Sequence, residues 1–423
     1  MPIFAAIRRN KFVLPAAIAV VGVLFQLAFM FLGPEGPGGL SWYDSNDYYK
    51  IARDLSWGEP YSTAENTGNL YRSPGYPFLL SLMMRVAGES VAYTRLFHIV
   101  LFPFFLLVIY SLGSRLFNRR VGVLAMLFST VYPLFVYIPL AFYPESLLLY
   151  LYPAIALLVF LARERPSYLK VGLLGLSVAL AIMIRPTAVI WLPVCLYYLL
   201  AGKPFAVRRA VAVCSVVILI PALFVGAWMF RNNRVHGTYI FTTSGSWNLL
   251  TSYNENATWY SKSMVEIPAE IQEKLDRAKT VAERESVKKS EAIKFIRNNP
   301  GRALKIVSLH CLQLWNPIPQ TSSTGGMAQS KFKLASGIPY VVLLPFGIVG
   351  LVMTRKNLFT KTLVLLLVIN TLVNGIVAVS IRYRAITDFV FILTAAYVAD
   401  ILLRKLGDSR KQSAGANGLR TAE

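Results

Sequence analysis

The run Trp42-Tyr43-Asp44-Ser45-Asn46-Asp47-Tyr48-Tyr49-Lys50-Ile51-Ala52-Arg53 follows directly on a long apolar segment, Phe12–Leu32. It gathers two carboxylates, an amide, three tyrosines and an arginine. A carboxylate within hydrogen-bond reach of a hydroxyl can take its proton. Tyrosine rings suit sugar binding, and at the end of a spanning helix they also form the interfacial belt. Asp44 and Asp47 are three residues apart, so Asp44 equally fits the N-cap of a following helix. A second group, Tyr71-Arg72-Ser73-Pro74-Gly75-Tyr76-Pro77, has two prolines and a glycine that set a stiff turn. A guanidinium held in such a turn either snorkels to the lipid headgroups or clamps phosphate, whose oxygens it matches geometrically.

The elements that must position these groups are apolar and long. Of 423 residues, 55% are hydrophobic and 15% charged. A helix spans the bilayer core with about 20 apolar residues, and the segments lack the alternation of a transmembrane barrel. The expected fold is therefore an all-α polytopic membrane protein with about ten spans. They are placed at Phe12–Leu32, Leu96–Phe117, Val121–Ile138, Glu145–Leu161, Val171–Ile184, Thr187–Leu200, Ala210–Phe230, Ile338–Met353, Thr362–Val379 and Ala385–Leu403.

The net charge of +22 would raise nucleic acid as a partner of a soluble chain. Here the basic residues cluster between spans, at Arg119-Arg120, Arg163/Arg165/Lys170, Lys203/Arg208/Arg209, Arg355/Lys356/Lys361 and Arg404/Lys405. With the N-terminus and its Arg8, Arg9 and Lys11 inside, every cluster falls on the cytoplasmic side. The reading is a multi-pass protein of the cell inner or plasma membrane with both termini cytoplasmic and membrane lipids as neighbours. Two long regions, 33–95 and 231–337, remain on the outer face and carry interfacial helices. The amphipathic stretch Ala303–Trp315 is placed on the membrane surface rather than across it. Residues 404–423 read as a disordered cytoplasmic tail.

Further candidates lie outside the opening run. Glu145 begins a span on the outer side. Arg185, before Pro186, interrupts an apolar run. A mid-membrane arginine costs about 2.5–3.5 kcal/mol on insertion scales, so Arg185 either faces a polar cavity or marks a helix end. Arg231, Arg234, Arg382 and Arg384 sit on the outer side, against the positive-inside bias. Three histidines (His98, His236, His310) and three cysteines (Cys195, Cys214, Cys311) show no zinc-site spacing. Two non-enzymatic readings compete. A transporter or flippase would place ionisable residues on broken helices, often in repeated halves. A membrane assembly factor would use its outer loops to bind a partner.

Asp44, Tyr48 and Ala52-Arg53, with Leu55, Gly58 and the Tyr71–Pro77 turn, resemble the first outer loop of GT-C superfamily glycosyltransferases, glycosyltransferase family 39 in particular. That family includes protein O-mannosyltransferases and the lipid A aminoarabinose transferase. The resemblance continues through Phe142-Tyr143-Pro144-Glu145, Ile184-Arg185-Pro186, Trp228–Asn232, Thr242–Gly245 with Asn248-Leu249 and Asn254, Ala292–Pro300, and Arg382-Tyr383-Arg384. Ser45 stands where relatives often carry Glu.

The resemblance implies a GT-C-like domain over 1–403 and transfer of a sugar from a polyprenyl-phosphate donor to an acceptor hydroxyl at the outer face, with inversion. It implies Asp44 as general base and Asp47 and Glu145 as supporting acids. Arg72, Arg185, Arg231, Arg382 and Arg384 would hold the donor phosphate, and Tyr43, Tyr48, Tyr71, Tyr76 and Asn248 the sugar or acceptor. The acceptor would be a lipid, glycan or protein, and nucleic acid is not a partner. No cofactor is firmly implied; the Ser45 departure leaves a divalent metal ion open.

Overall fold

The computed structural model describes residues 13–33, 36–39, 43–202, 205–257, 265–317, 327–377 and 379–420. Helices are the regular secondary structure of these described residues, joined by turns and loops. The helices are α1 (Val13–Leu32), α2 (Tyr43–Ser56), α3 (Gly75–Ala87), α4 (Val91–Leu116), α5 (Arg119–Val131), α6 (Pro133–Leu140) and α7 (Glu145–Glu164). They continue as α8 (Tyr168–Ile184), α9 (Trp191–Leu200), α10 (Val207–His236), α11 (Ser244–Ser252), α12 (Ala269–Arg277) and α13 (Val281–Asn298). The last are α14 (Pro300–Leu314), α15 (Met327–Met353), α16 (Leu358–Val377), α17 (Ile381–Ala385) and α18 (Phe389–Arg420).

The protein is a multi-pass membrane protein. Five helices (α1, α4, α7, α10 and α16) are long and apolar enough to cross a bilayer. The α5–α6 pair makes a sixth if its 55° bend is one broken span. The bend falls at Tyr132-Pro133, where the ring of Pro133 disfavours helical backbone in the residue before it, and Tyr132 is extended. The same effect separates α8 from α9: Arg185 is extended and Pro186 opens a 3-10 turn, Pro186–Ile190. Shorter apolar helices add Tyr168–Ile184, Pro186–Leu200 and Gly337–Met353. Length and composition thus establish five or six spans among the described residues, fewer than the ten expected. Helix α18 runs on to Arg420, so backbone through 404–420 is helical where small polar residues suggested disorder. Arg8, Arg9 and Lys11, which set the expected orientation, lie outside the described residues.

The interior of the bundle is one apolar core fed by α4 to α9, α16 and α18. A smaller core of Tyr253, Ala292, Phe295, Ala303 and Ile306 joins α13 and α14 to the segment after α11. A capping box between Thr280 and Glu283 starts α13. Helix α14 packs along α16, with His310 Nδ1 3.0 Å from the Gly375 carbonyl. At fifteen residues it is about 22 Å long, short of the bilayer core.

Several element ends meet on one side of the bundle: the N-termini of α2, α3 and α7, the C-terminus of α8, and α17. Helix α2 is held by a buried stripe at Tyr48, Ile51, Ala52 and Leu55, the spacing of one helical face. Ser45 Oγ donates to the Ala141 carbonyl at 2.7 Å and fixes the start of α2 against the turn before α7. In that turn Phe142 has φ of 57°, a strained backbone for a bulky residue. The start of α3 sits hard against the end of α8. A Cβ on Gly75 would stand 2.6 Å from the carbonyl carbon of Met183 and 2.7 Å from the amide nitrogen of Ile184. This contact sets the distance between the Arg72 turn and Arg185. Gly75→Ala is expected to destabilise the protein by about 1–3 kcal/mol through overpacking. Thermal unfolding in detergent checks this, and an unchanged melting temperature would show that the α3–α8 contact yields freely.

Candidate active site

Helix α2 begins at Tyr43, so Asp44 lies within its first turn instead of capping it from outside. An acid there is favoured by the helix dipole. Asp44 and Asp47, one turn apart, face the same way. Both accept from Arg72 Nη2, at 2.7 Å (Asp44 Oδ1) and 2.8 Å (Asp47 Oδ2). Arg72 follows a 3-10 turn, Gly68–Tyr71, and is extended. Its backbone carbonyl accepts from the Tyr61 hydroxyl at 2.7 Å. Its guanidinium lies 5.0 Å from the Tyr48 ring centre and 4.9 Å from that of Tyr71.

The second oxygen of Asp44 accepts from Arg382 Nη2 at 2.9 Å. Arg382, on α17, also reaches Glu145, with 4.0 Å between Nη1 and Oε2. The other oxygen of Glu145 accepts directly from Arg185 Nη1. Rings underlie both of these arginines: Tyr143 is 3.9 Å from the Arg382 guanidinium carbon, and Tyr383 is 3.5 Å from that of Arg185. The result is an alternating array, Asp47–Arg72–Asp44–Arg382–Glu145–Arg185, of three acids and three arginines. Side-chain exposure falls from 38% at Asp47 to 1% at Glu145, so the array opens at its Asp44 and Asp47 end.

Two effects oppose each other at Asp44. Burial raises its pKa, but the guanidinium groups of Arg382 and then Arg72 outweigh burial and hold the carboxyl below the ordinary carboxylate value. Burial is the main reason the Tyr71 phenol is pushed up. As it stands the site is a carboxylate fully engaged by two arginines, and those arginines can recruit a further anion.

The other expected site residues fall elsewhere. Tyr76 is fully buried behind Tyr48, ring edge to face at 5.3 Å. Arg384 is fully buried in the core, paired with Asp388 at 3.4 Å and stacked on Tyr340. Tyr132 donates to Asp388 at 2.7 Å. These contacts anchor α17 and so place Arg382, but they turn Arg384 away from the array. Arg231 donates to both the hydroxyl and the carbonyl of Ser62, each at 2.7 Å. Its link to the array runs through the neighbouring Tyr61, which donates to the Arg72 carbonyl and whose ring packs on Trp228. Arg234 is exposed and lies over Phe230. Asn248 lies on α11, whose packing runs to α13 and α16, and among the described contacts nothing joins it to the array. The Tyr43 side chain lies outside the described part of the structure. Tyr143 and Tyr383 are contacts the sequence reading missed. Their only signal is position, each beside a candidate ion (Glu145, or Arg382 and Arg384). Among the described residues no group of three or more His, Cys, Asp or Glu gathers as a metal site.

Comparison with known proteins bears on the fold. The family described as dolichyl-phosphate-mannose-protein mannosyltransferase matches residues 71–228, under half of the chain and without Asp44 or Arg382. No curated protein sequence matches at a significant level. The apo oligosaccharyltransferase of Archaeoglobus fulgidus superposes with a TM-score of 0.57 at 15% identity, covering 96% of this chain and 52% of that one. The same organism's oligosaccharyltransferase AglB, in complex with an inhibitory peptide and a dolichol-phosphate, gives 0.58 at 14% identity, with the same 96% and 52% coverage. ArnT from Cupriavidus metallidurans, bound to undecaprenyl phosphate, gives 0.42 at 14% identity over 90% of this chain and 77% of that one, too low a score to add to the assignment. The chain thus spans about half the length of the archaeal enzyme, and it shares that enzyme's fold.

The depressed pKa of Asp44 has a consequence for stability. A group whose folded pKa lies below its unfolded value of about 3.9 contributes stability that is full above that value and lost as pH falls through the folded pKa. Wild type should therefore melt above Asp44→Asn by a constant margin between about pH 5 and pH 8, and the two curves should draw together as pH falls below about 4. A margin that persists unchanged in acid would show that the charge of Asp44 does not produce it.

Proposed function

We propose that this protein is an integral membrane glycosyltransferase that moves a sugar from a polyprenyl-phosphate donor to an acceptor hydroxyl. The single observation that carries this reading is the pair of largely buried arginines, Arg72 and Arg382, converging on the partly exposed carboxylate of Asp44. Phosphate and carboxylate are both planar-edged anions that a guanidinium can hold with two parallel hydrogen bonds. A site built of those three groups can therefore bind a leaving phosphate beside a base.

Charge supports one side of the membrane. The long span α7 and the shorter apolar helix α8, which both end in the array, carry basic residues at their opposite ends. In α7 Glu145 opens the helix and Arg163 closes it; in α8 Lys170 lies in the first turn and Arg185 follows the last. By the positive-inside rule the array then faces outward. The bundle's apolar surface would take the polyprenyl tail, as suits a fold shared with a protein whose solved complex holds dolichol-phosphate.

In this reading the acceptor hydroxyl attacks the anomeric carbon while Asp44 takes its proton, and the bond to the phosphate breaks on the far side with inversion. Arg72 and Arg382 stabilise the charge that builds on the departing phosphate, a form of electrostatic stabilisation that acts most strongly in the transition state. Glu145 keeps Arg382 and Arg185 oriented, Asp47 does the same for Arg72, buried Tyr48 backs the Arg72 guanidinium, and Tyr71 flanks it where a sugar ring would pass. The three acids are each already bound to arginine, and the arginines repel a dication. This donor set does not fit a divalent metal, and no step runs through one.

The test is transfer from a panel of radiolabelled polyprenyl-phosphate sugars by the purified full-length protein in nanodiscs. Asp44→Asn should lose about 10²–10⁴-fold in rate, the range for a general base. Arg382→Gln should fall by a factor of about 10²–10³. Equal transfer by wild type and Asp44→Asn would remove Asp44 as the base, and no transfer from any donor would count against the reading as a whole.

A further inference from the structure

Both oxygens of Asp44 are occupied by arginine, one by Arg72 at 2.7 Å and one by Arg382 at 2.9 Å. The same two guanidinium groups are the cations that the exposed end of the array, Asp44 and Asp47, already holds. The array is formally neutral, with three acids and three arginines, so an entering phosphate finds no cation without a partner of its own. It must compete for one already held.

We propose that Asp44 and the donor phosphate share Arg72 and Arg382, so that the carboxylate holds the arginines while the site is empty and cedes them as the phosphate arrives and gains charge. This rests on the transferase reading given above and adds to it a division of charge within the site.

The balance of the reaction requires such a division. The acceptor oxygen forms its bond to the anomeric carbon, and the bond from that carbon to the phosphate oxygen breaks with its electron pair left on oxygen. The phosphate passes from one negative charge towards two. The acceptor proton moves to Asp44, which passes from one negative charge to none. One unit of negative charge therefore moves from carboxylate to phosphate, and both groups face the same two arginines. As Asp44 is neutralised it releases its guanidinium partners, and the phosphate needs them at that moment. The arginines do not have to move far. Arg72 is fixed between the Tyr48 and Tyr71 rings, and Arg382 lies over Tyr143 and is braced by Glu145. Only the carboxylate partner changes. The arrangement also gives an order of binding, in which donor before acceptor frees Asp44 to face the acceptor hydroxyl.

The experiment measures binding of undecaprenyl phosphate to the full-length protein in nanodiscs at neutral pH, without turnover. Asp44→Asn removes the competing charge in a side chain of the same shape, and its fold is checked by thermal unfolding. Sharing predicts that Asp44→Asn binds the lipid phosphate more tightly than wild type, by about three- to tenfold for a partly buried charged pair. With Arg382→Lys in the background, that gain should shrink to within about twofold, because the shared partner no longer matches both anions. Asp54→Asn is the control. Asp54 lies on the same helix but pairs with Arg53 outside the array, so its loss should leave affinity unchanged. Equal or weaker binding by Asp44→Asn, with wild type binding normally, overturns the sharing and leaves the transferase reading standing. Equal tightening by Asp54→Asn also overturns it, since bulk charge then accounts for the effect. Failure of wild type and Asp44→Asn alike to bind undecaprenyl phosphate counts against both.

Discussion

The site depends on one constraint: arginines taken out of water must be paired. Arg185, Arg382 and Arg72 stand at helix ends inside an apolar bundle, and a buried charge left alone costs about 3–5 kcal/mol. The acids that satisfy them come from separate parts of the chain, Asp44 and Asp47 from α2 and Glu145 from α7. Pairing therefore ties together the segment that follows α1, the middle of the bundle and the short helix α17. The Arg384–Asp388 pair meets the same requirement deeper in the core, and it holds α17 in place so that Arg382 can point the other way.

Backbone features serve the same arrangement. Pro186 ends α8 so that Arg185 stands at the break. Gly75 lets α3 approach α8 closely enough to bring the Arg72 turn beside that break. Ser45 ties the start of α2 to the Ala141 carbonyl one turn ahead of Glu145. In this chain a short hydroxyl does positional work at that point, and the further carboxylate of the array comes from α7.

Much of this could be read in the sequence, and the limits have physical causes. The apolar runs fixed the class of fold, and the proline at 186 marked a helix break because its ring excludes helical backbone before it. Asp44 and Arg72 were legible as candidates because each sits in a polar, turn-rich context beside an apolar run. Their mutual pairing, and the reach from Asp44 to Arg382 across 338 positions, was not legible, since side-chain contacts between distant segments leave no local pattern. Arg384 shows the cost of this. Two residues from Arg382, it has the same charge and the same apparent setting, yet helical geometry turns it into the core towards Asp388. At residues 404–420, where small polar side chains suggested disorder, the preceding apolar helix carries its backbone onward.

The central claim is that the alternating acids and arginines form the donor-phosphate site. It is tested most directly by a cryo-electron-microscopy structure of the wild-type protein in nanodiscs with undecaprenyl phosphate bound. The account predicts the phosphate within hydrogen-bond distance of Arg72 and Arg382, with Asp44 detached from at least one of them. A phosphate bound elsewhere, with both Asp44 pairs intact, would contradict it.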